Sequence, residues 1–265
     1  MRSTRRSRAR TGRRSRGFGP ALTITLMVGV ALFALERTGT LPEPAAVIVR
    51  QVERWLAPLL DEIGIELPPQ TDQATPSSLE TDDRAAVTQA VALLDRIVVE
   101  PERGAGYDRE DWPHWLDLDG DCMNARHEVL AAESLEPPTL SADGCDVVSG
   151  LWRDAYTGET VRDSADLDVD HFVPLAEAHR SGGHAWDQER RVAYANDLGD
   201  ARALIAVSAS ANRSKSDQGP EEWLPPDPAY RCRYVADWVA VKVRWGLAMD
   251  ERERVTVGNL LRSCA

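Results

Sequence analysis

Apolar residues recur along the chain in two patterns, one alternating and one helical, and together they predict its elements. The segment "ADLDVDHFVPL" alternates polar and apolar residues up to His171, which is typical of a β-strand. Pro174 then ends the strand, because proline cannot donate a backbone hydrogen bond to a sheet. A second apolar run, Leu204 to Val207, predicts another strand, and Ser208 after it is a favoured helix N-cap. We therefore expect a strand, an intervening segment, a second strand and a short helix.

Longer helical patterns surround this unit. Apolar residues at three- and four-residue spacing predict helices over residues 82–99, 176–197 and 232–247. In the first of these helices, four residues are expected to face the core: Val87, Val91, Leu94 and Val98. Predicted strands are few and short, so we expect an α+β domain in which helices dominate.

The N-terminal segment has a different pattern. Residues 1–16 carry eight arginines and no acidic residue, and residues 17–35 carry no charge at all. That uncharged stretch is close to the roughly 20 residues that span a bilayer, and arginine-rich flanks stay on the cytoplasmic side. We expect residues 17–35 to be a transmembrane anchor or a cleaved signal peptide, and the pattern leaves this choice open. In either case the rest of the chain would be extracytoplasmic, anchored to the membrane or secreted.

Residues 36–78 are expected to hold an amphipathic juxtamembrane helix followed by a linker. The helical spacing lies between Ala46 and Ile65, and the stretch after it is rich in Pro, Thr, Ser and Gln. Alternatively, this helix packs as the first helix of the main domain. The main domain is expected to cover residues 79–265.

Charge limits what this domain can bind. A hydrophobic fraction of 43% suits a globular core, but the formal net charge is −12. Without the first sixteen residues the chain holds 23 basic against 43 acidic residues, a net charge of −20. This argues against tight binding of duplex nucleic acid, which depends on lysine and arginine. A local basic groove is still expected from five residues: Arg190, Arg191, Arg202, Arg213 and Lys215.

The chain contains four cysteines, and an even number in an exported chain predicts disulfides. Of the three possible pairings, Cys122–Cys145 with Cys232–Cys264 is favoured. Each of these bonds closes a local loop, and the second fixes the C-terminus. Zinc binding through cysteine is disfavoured, because no C-x-x-C spacing occurs.

Asp170 and His171 stand together at the end of the first predicted strand. Asn212 and Lys215 are three residues apart and therefore share one face of the predicted short helix. Histidine can take a proton from water near pH 7, which makes His171 the predicted general base. One carboxylate and one amide oxygen suit Mg²⁺ better than zinc, so Asp170 and Asn212 are the predicted metal ligands. Lys215 is expected to steady a phosphate or the transition state.

These residues belong to a longer set of motifs. "DVDHFVPL" with "NRSKSD" resembles the HNH endonucleases, or His-Me finger (ββα-metal) nucleases, which include the HNH domain of RNA-guided CRISPR nucleases. Other segments, among them "DGDC", "YTGE", "YANDL" and "EWLPP", are similar to one subfamily. That subfamily comprises exported actinobacterial HNH proteins related to the C-terminal domain of GmrSD-type restriction enzymes. The resemblance covers roughly residues 79–265.

The resemblance implies a ββα-metal core embedded in a mainly helical domain and preceded by an N-terminal membrane or export helix. It implies an endonuclease that depends on Mg²⁺ or Mn²⁺ and hydrolyses DNA with little sequence preference, leaving 5′-phosphate and 3′-hydroxyl ends. RNA stays open as a further substrate. The implied partners are nucleic acid and, through an uncleaved helix, the membrane, and no protein partner follows from the sequence.

Two residues near the motif have alternative roles. HNH motifs commonly carry an asparagine before the leucine of the second strand, which supports the histidine, but this chain has Ala203 there. Asn196, in "YANDL", is expected to take over that task, with a structural turn or helix cap as the alternative. Asp168 could be an outer ligand of the metal, but its strand position favours a solvated face.

The segment "DLDGDCMNARHE", Asp117–Glu128, partly matches an EF-hand loop. It has acidic residues at positions one, three, five and twelve, but Cys122 occupies position six, where the loop needs glycine. A Ca²⁺ site is one interpretation, and a polar turn before a helix is the other. The remaining four histidines are expected on helix surfaces and loops: His114, His127, His179 and His184.

A second functional hypothesis comes from a different class. The acidic surface and the "DLDGDC" loop would also suit a non-catalytic extracytoplasmic binding module that is stabilised by calcium. The asparagine and lysine on the predicted short helix argue against it, because folding alone does not require that polar face.

Overall fold

The computed structural model describes residues 76–264. The predicted basic segment (1–16), the predicted membrane or export segment (17–35) and the predicted juxtamembrane helix (46–65) lie outside the described residues. Among residues 76–264, no helix is both long enough and apolar enough to cross a membrane.

Five strands and seven α-helices follow one another within this part of the chain. The strands are β1 (Thr139–Leu140), β2 (Val147–Arg153), β3 (Thr160–Asp163), β4 (Leu167–His171) and β5 (Leu204–Ser208). The helices are α1 (Pro76–Leu94), α2 (Ala125–Glu133), α3 (Leu175–Arg180), α4 (Gln188–Ala195), α5 (Ala209–Lys215), α6 (Arg231–Trp245) and α7 (Glu251–Cys264). This mixture confirms the predicted α+β class.

β4 and β5 form an antiparallel two-stranded sheet, and α5 follows β5 directly. The pairing is regular, from Leu167 opposite Ser208 to His171 opposite Leu204. Ser208 caps α5, because its side-chain oxygen accepts a hydrogen bond from the backbone N–H of Ala211. The predicted order of strand, intervening segment, strand and short helix is therefore confirmed.

The segment between β4 and β5 corrects one prediction. A single long helix was expected over residues 176–197, but α3 and α4 are separated by a 3₁₀ turn at Gly183–Ala185. Gly182 has a φ of +117°, which residues with side chains rarely adopt. A Cβ on Gly183 would lie 2.6 Å from the carbonyl oxygen of Ala178. The two glycines therefore end α3 and turn the chain toward α4.

The larger hydrophobic core lies where α1 packs against α6 and α7. Its largest fully buried side chains are Trp112, Tyr156, Tyr234 and Trp238. Val87 and Leu94 of α1 face this core, as predicted, at 2% and 6% exposure. Val91 and Val98 do not, at 46% and 59% exposure. Because α1 ends at Leu94, Val98 lies beyond the helix. Within α1, Ala90 rather than Val91 is buried in the core.

A smaller core lies beneath the second sheet. β1, β2 and β3 pair in that order as antiparallel strands. Trp152 of β2 is 1% exposed and donates its indole N–H to the backbone oxygen of Leu130 in α2. The inner residues of β4 and β5 complete this core: Leu167, Val169, Leu204 and Ala206. The β4–β5 sheet is thereby held from both sides, which fixes the position of the strand that ends at His171.

Both predicted disulfides are present. Cys122–Cys145 joins the turn before α2 to the segment before β2. Cys232–Cys264 joins the first turn of α6 to the end of α7. The predicted pairing is therefore confirmed, and the two bonds restrict the unfolded chain in separate parts of the domain.

Candidate active site

A cleft of about 580 Å³ lies at the end of β4 and beside α5. Its lining comes from residues 104–109, from β4 with the start of α3, and from α5 with the residues after it. Its polar lining residues include Tyr107, Arg109, Asp170, His171, Asn212 and Arg213. Three of the five predicted site residues therefore meet at one cleft.

The imidazole of His171 is held in one tautomer. Nε2 lies 2.9 Å from the backbone oxygen of Ala195. A carbonyl oxygen can only accept a hydrogen bond, so Nε2 must carry the proton and Nδ1 keeps a lone pair. Burial lowers the pKa of His171 to about 3, which keeps the ring neutral near pH 7. A neutral ring with a free Nδ1 has the protonation state that a general base requires.

An aromatic loop packs against this ring. Trp115 stacks on His171 with ring centroids 5.0 Å apart and an interplanar angle of 28°. Trp115 has a φ of +59°, an uncommon value for a residue with a large side chain. The ring of His114 meets the ring of His171 edge-on at 5.9 Å. His114 was expected on a free surface, and it is instead half-buried beside His171.

Asn196 holds this loop in place. Its Oδ1 accepts a hydrogen bond from the backbone N–H of Leu116, and its Nδ2 donates to the backbone oxygens of Pro113 and Val192, each at 2.9 Å. These three bonds go to the main chain, and none goes to the imidazole of His171. The predicted support of the histidine by Asn196 is thus not a direct contact, because the amide is occupied by the loop that carries Trp115 and by the backbone of α4.

Asp170 is buried and held through one of its two oxygens. Oδ2 accepts hydrogen bonds from the hydroxyl of Tyr156 at 2.6 Å and from Nζ of Lys215 at 2.7 Å. Oδ1 accepts none from the described part of the chain. Burial raises the pKa of Asp170, against the opposing effects of Lys215 and Tyr156. Burial also raises the pKa of Tyr156 well above its ordinary value, so the phenol stays protonated and can donate.

Lys215 lies behind Asp170 rather than at the cleft surface. Its side chain is fully buried, and Nζ donates to Asp170 and, at 3.2 Å, to the backbone oxygen of His171. Burial lowers the pKa of Lys215, against the attraction of Asp170. Lys215 was predicted to steady a phosphate or the transition state, and in this arrangement its ammonium group, which has no exposed surface, could do so only through Asp170.

Asp170 and His171 reach the same cleft although neighbours in a strand face opposite sides. A bend in the backbone was expected, but the pairing with β5 stays regular up to His171, and Phe172 still donates to the backbone oxygen of Ala203. Both residues line the cleft at the end of β4 without a break in the pairing.

Asn212 lies in α5, and one hydrogen bond orients its amide group. Its Nδ2 donates to Oδ2 of Asp168 at 3.2 Å. A carboxylate can only accept, so the amide nitrogen faces Asp168 and Oδ1 is left without a partner in the described residues. The half-exposed Asp168, which was expected on a solvated face, therefore orients Asn212.

The donor set of this cleft fits a hard divalent cation. Asp170 and Asn212, each with one unpartnered oxygen in the described residues, line one cleft with His171, and oxygen donors with room for water are what Mg²⁺ and Mn²⁺ prefer. No cysteine takes part, since all four are in disulfides.

The predicted basic groove is largely wrong. Arg190 donates to the backbone oxygen of Trp245, Arg191 pairs with Asp111, and Arg202 pairs with Asp200. Of the five predicted residues, Arg213 lines the cleft. The cleft has two other arginines, Arg109 and Arg180. Sequence spacing could not find them, because they come from segments far apart along the chain.

The cleft arginines differ in how far acidic residues neutralise them. Arg180 contacts three carboxylates, those of Glu102, Glu177 and Asp217. Arg213 is 77% exposed and lies 4.0 Å from Asp168. Arg109 donates to Nε2 of His114 at 3.3 Å, and no described carboxylate lies within ion-pair distance of it. Arg109 and Arg213 are therefore the cations most available to an anionic ligand.

The family of the chain follows from sequence comparison. A sequence model described as "GmrSD restriction endonucleases, C-terminal domain" matches residues 132–256. A protein of Arthroderma benhamiae named "Uncharacterized secreted protein" is 36% identical over 194 residues, which are 72% of this chain and 93% of that relative. The chain belongs to this nuclease-related family. No solved structure matches the chain.

All five predicted site residues lie within the part that matches the family. Tyr156, which contacts Asp170, also lies within it, whereas Arg109 and Trp115 precede the matched residues. Tyr156 stands in "YTGE", one of the motifs behind the resemblance, and that position was its only signal in the sequence. Trp115 and Arg109 gave no signal, since their contacts with the His171 region depend on how the loop folds.

The acidic loop lies apart from the matched residues. One carboxylate oxygen from each of Asp117, Asp119 and Asp121 lies within 4.8 Å of the others, and all three residues are exposed. Asp117 accepts from the backbone N–H groups of Gly120 and Cys122. Cys122 has a φ of +80° at the position where an EF-hand has glycine. A Ca²⁺ ion at Asp117–Glu128 stays a prediction.

Proposed function

We propose that this chain is an HNH-type endonuclease that hydrolyses phosphodiester bonds of DNA, and of RNA where it is accessible, with low sequence preference. The observation that carries the proposal is the cleft itself. It is lined by His171, whose Nδ1 carries no proton, and by Asp170 and Asn212, each of which has one side-chain oxygen without a hydrogen-bond partner among the described residues. The strand–strand–helix order that presents these residues is the arrangement implied by a His-Me finger core.

In this proposal His171 is the general base. Nδ1 takes a proton from the attacking water, while Nε2–H stays bonded to the backbone oxygen of Ala195 and fixes the ring. The stacked Trp115 keeps the ring in its plane and keeps bulk water from that face. An anionic phosphate in the cleft would raise the pKa of His171 from its low value, because it stabilises the imidazolium.

Asp170 and Asn212 would hold Mg²⁺ or Mn²⁺ through their unpartnered oxygens. Such an ion, when bound, stabilises negative charge on the reacting phosphate and on the leaving oxygen. Tyr156 and Lys215 keep Asp170 in place, and Asp168 does the same for Asn212.

Nucleic acid as the substrate is supported by the family and by the cleft arginines. The net charge of −12 opposes binding of a polyanion, so the contacts must be local. Arg109 has no described carboxylate within ion-pair distance, and Arg213 is largely exposed with a single carboxylate, that of Asp168, at 4.0 Å. Weak, salt-sensitive binding is the expected result.

An extracytoplasmic location is part of the proposal. The relative from Arthroderma benhamiae is named a secreted protein, and two disulfides are typical of exported proteins. The uncharged residues 17–35 would serve as the export signal or as a membrane anchor.

A plasmid-nicking assay tests the function. The full chain with intact disulfides should nick DNA with Mg²⁺ or Mn²⁺ and stop when EDTA is added. His171→Ala should lower the rate by about 10²- to 10⁴-fold, the usual contribution of a general base. His184→Ala is the matched control, because that ring bonds to the backbone oxygen of His179 outside the cleft. Equal loss in both variants, or nicking that ignores EDTA, would contradict the proposal.

A second candidate is a non-catalytic binding module stabilised by calcium. The gathered carboxylates of Asp117, Asp119 and Asp121 are the observation that favours it. It predicts a calcium-dependent rise in melting temperature that is unchanged in His171→Ala, with no nicking by the wild type under any metal. Nicking that depends on His171 would exclude this candidate as the main function.

A further inference from the structure

We infer that Tyr156 is a positioning residue which, together with Lys215, holds Oδ2 of Asp170 so that Oδ1 is presented to a divalent cation in the cleft. This inference rests on the proposed function and names a residue that the sequence did not single out. It concerns how the predicted metal ligand is oriented, not which groups bind the metal.

The two carboxylate oxygens of Asp170 differ in their hydrogen bonds. Tyr156 and Lys215 both donate to the same atom, at 2.6 and 2.7 Å. Two donors that converge on one oxygen fix the rotation of the carboxylate as well as its position. The other oxygen is thereby directed away from both donors, and Asp170 lines the cleft.

Tyr156 is rigid enough for this task. The residue is fully buried, and its ring contacts the rings of Phe172, Trp223 and Tyr234. Its backbone is fixed as well, since Asp154 accepts from the N–H of Tyr156 at 2.8 Å and from the hydroxyl of Thr157 at 2.7 Å. A side chain held at both ends can orient its partner, because little freedom remains to be lost.

Tyr156 and Lys215 supply different things to Asp170. Lys215 provides charge that balances the buried carboxylate, but its positive charge also opposes a nearby cation. The hydroxyl of Tyr156 is neutral, so it orients the carboxylate without that repulsion. Removing the hydroxyl should therefore weaken metal binding mainly through loss of orientation.

The chain offers a matched control for this hydroxyl. Tyr234 is also fully buried, its ring lies 5.8 Å from that of Tyr156, and its hydroxyl has no hydrogen-bond partner among residues 76–264. Tyr156→Phe and Tyr234→Phe thus remove the same atom from the same aromatic cluster. One of the two substitutions removes a hydrogen bond to Asp170, and the other does not.

The first measurement is Mn²⁺ binding to the full chain without nucleic acid, by electron paramagnetic resonance. We expect the dissociation constant to rise at least tenfold in Tyr156→Phe, in the range found for residues that orient a metal ligand, and to change less than twofold in Tyr234→Phe. Equal affinity in the wild type and Tyr156→Phe would overturn the inference.

The second measurement is the Mn²⁺ concentration that gives half-maximal nicking. Irreversible inactivation of part of a variant preparation lowers the active fraction and hence the maximal rate, but it does not move this concentration. A rise in Tyr156→Phe alone supports positioning, whereas a lower maximal rate at an unchanged concentration overturns it. If the wild type neither binds Mn²⁺ nor nicks DNA, the proposed function has failed, whereas a nicking wild type with unaffected Tyr156→Phe refutes this inference alone.

Discussion

The chain contains two lysines, both fully buried, and they are in contrasting surroundings. Lys242 of α6 contacts two carboxylates, Glu177 at 2.8 Å and Glu253 at 2.6 Å. Lys215 of α5 contacts a single carboxylate, that of Asp170, at 2.7 Å. The first lysine lies in the interior between helices, and the second lies behind the cleft.

The two sites differ in whether every carboxylate oxygen around the lysine accepts a hydrogen bond. At Lys242, the oxygens of Glu177 also accept from Ser181 and Arg180, and Glu253 also accepts from Trp238, so all four carboxylate oxygens are bonded. At Lys215, one oxygen of Asp170 is bonded twice and the other is unpartnered. A closed network contributes to the fold, whereas an open oxygen beside a cleft is available to a ligand. Burial of a lysine alone would not separate these two cases.

Replacement of each lysine by methionine gives the largest expected contrast. Lys242→Met leaves the buried Glu253 without a cation and Glu177 with Arg180 alone, so the free energy of unfolding should fall by about 3–5 kcal/mol. Lys215→Met leaves one carboxylate beside a cleft that water can enter, so it should lose less stability but lower nicking by about 10- to 100-fold. Urea unfolding and the nicking rate measure the two effects. The comparison fails if both variants lose the same stability.

The carboxylates of the closed network should give stability an unusual pH dependence. Burial raises the pKa of Glu253 to about 7, whereas Lys242 lowers the pKa of Glu177 to about 2 against the effect of burial. Because the folded-state pKa of Glu253 is raised, this group contributes stability at low pH that is lost as pH rises from about 4.5 through about 7. The low pKa of Glu177 contributes stability that is lost only as pH falls below about 4.5 toward 2.

Glu253→Gln should therefore reduce the loss of unfolding free energy that occurs as pH rises above about 4.5. Relative to wild type, the variant should gain up to about 3 kcal/mol between pH 5 and pH 8, since each pKa unit corresponds to about 1.4 kcal/mol. Urea unfolding at several pH values measures this gain. Glu251→Gln, an exposed position on the same helix, should show no such gain. A parallel pH dependence in wild type and Glu253→Gln would mean that Glu253 ionises normally.

The smallest expected effect concerns the arginines that line the cleft. Arg109→Gln and Arg213→Gln should each raise KM for DNA by about 3- to 10-fold, with kcat little changed, and each should reduce the salt dependence of binding by about one phosphate contact. Arg190→Gln is the control, because Arg190 bonds to Trp245 away from the cleft. If the control has the same effect, the cleft arginines are not the phosphate contacts.

Features with local causes could be predicted from the sequence. Alternation up to His171 and the capping residue Ser208 act within a few residues, so β4, β5 and α5 followed from the pattern. The two disulfides also followed, because each closes a short stretch of chain. Val98 shows the limit of this reasoning, since it lies beyond the end of α1 at Leu94, and that end depends on packing against other helices.

Features that depend on how deeply a side chain is buried, or on contacts between segments far apart in sequence, could not be predicted. Asn212 and Lys215 share a helical face by spacing, but spacing cannot tell that one stays at the surface while the other is fully buried. The hydrogen bond from Tyr156 to Asp170 and the support of the Trp115 loop by Asn196 join segments that only the folded chain brings together. The same holds for Arg109, whose place in the cleft depends on a loop without periodicity.

The burial of both lysines also has a practical consequence for chemistry on this protein. Amine-reactive reagents acylate exposed ε-amino groups, and the folded chain offers none, since Lys215 and Lys242 have no exposed surface and every other basic side chain apart from the histidines is arginine. Labelling of either lysine would then report an opening of the fold, and the two positions would report it separately, one for the cleft and one for the helical interior.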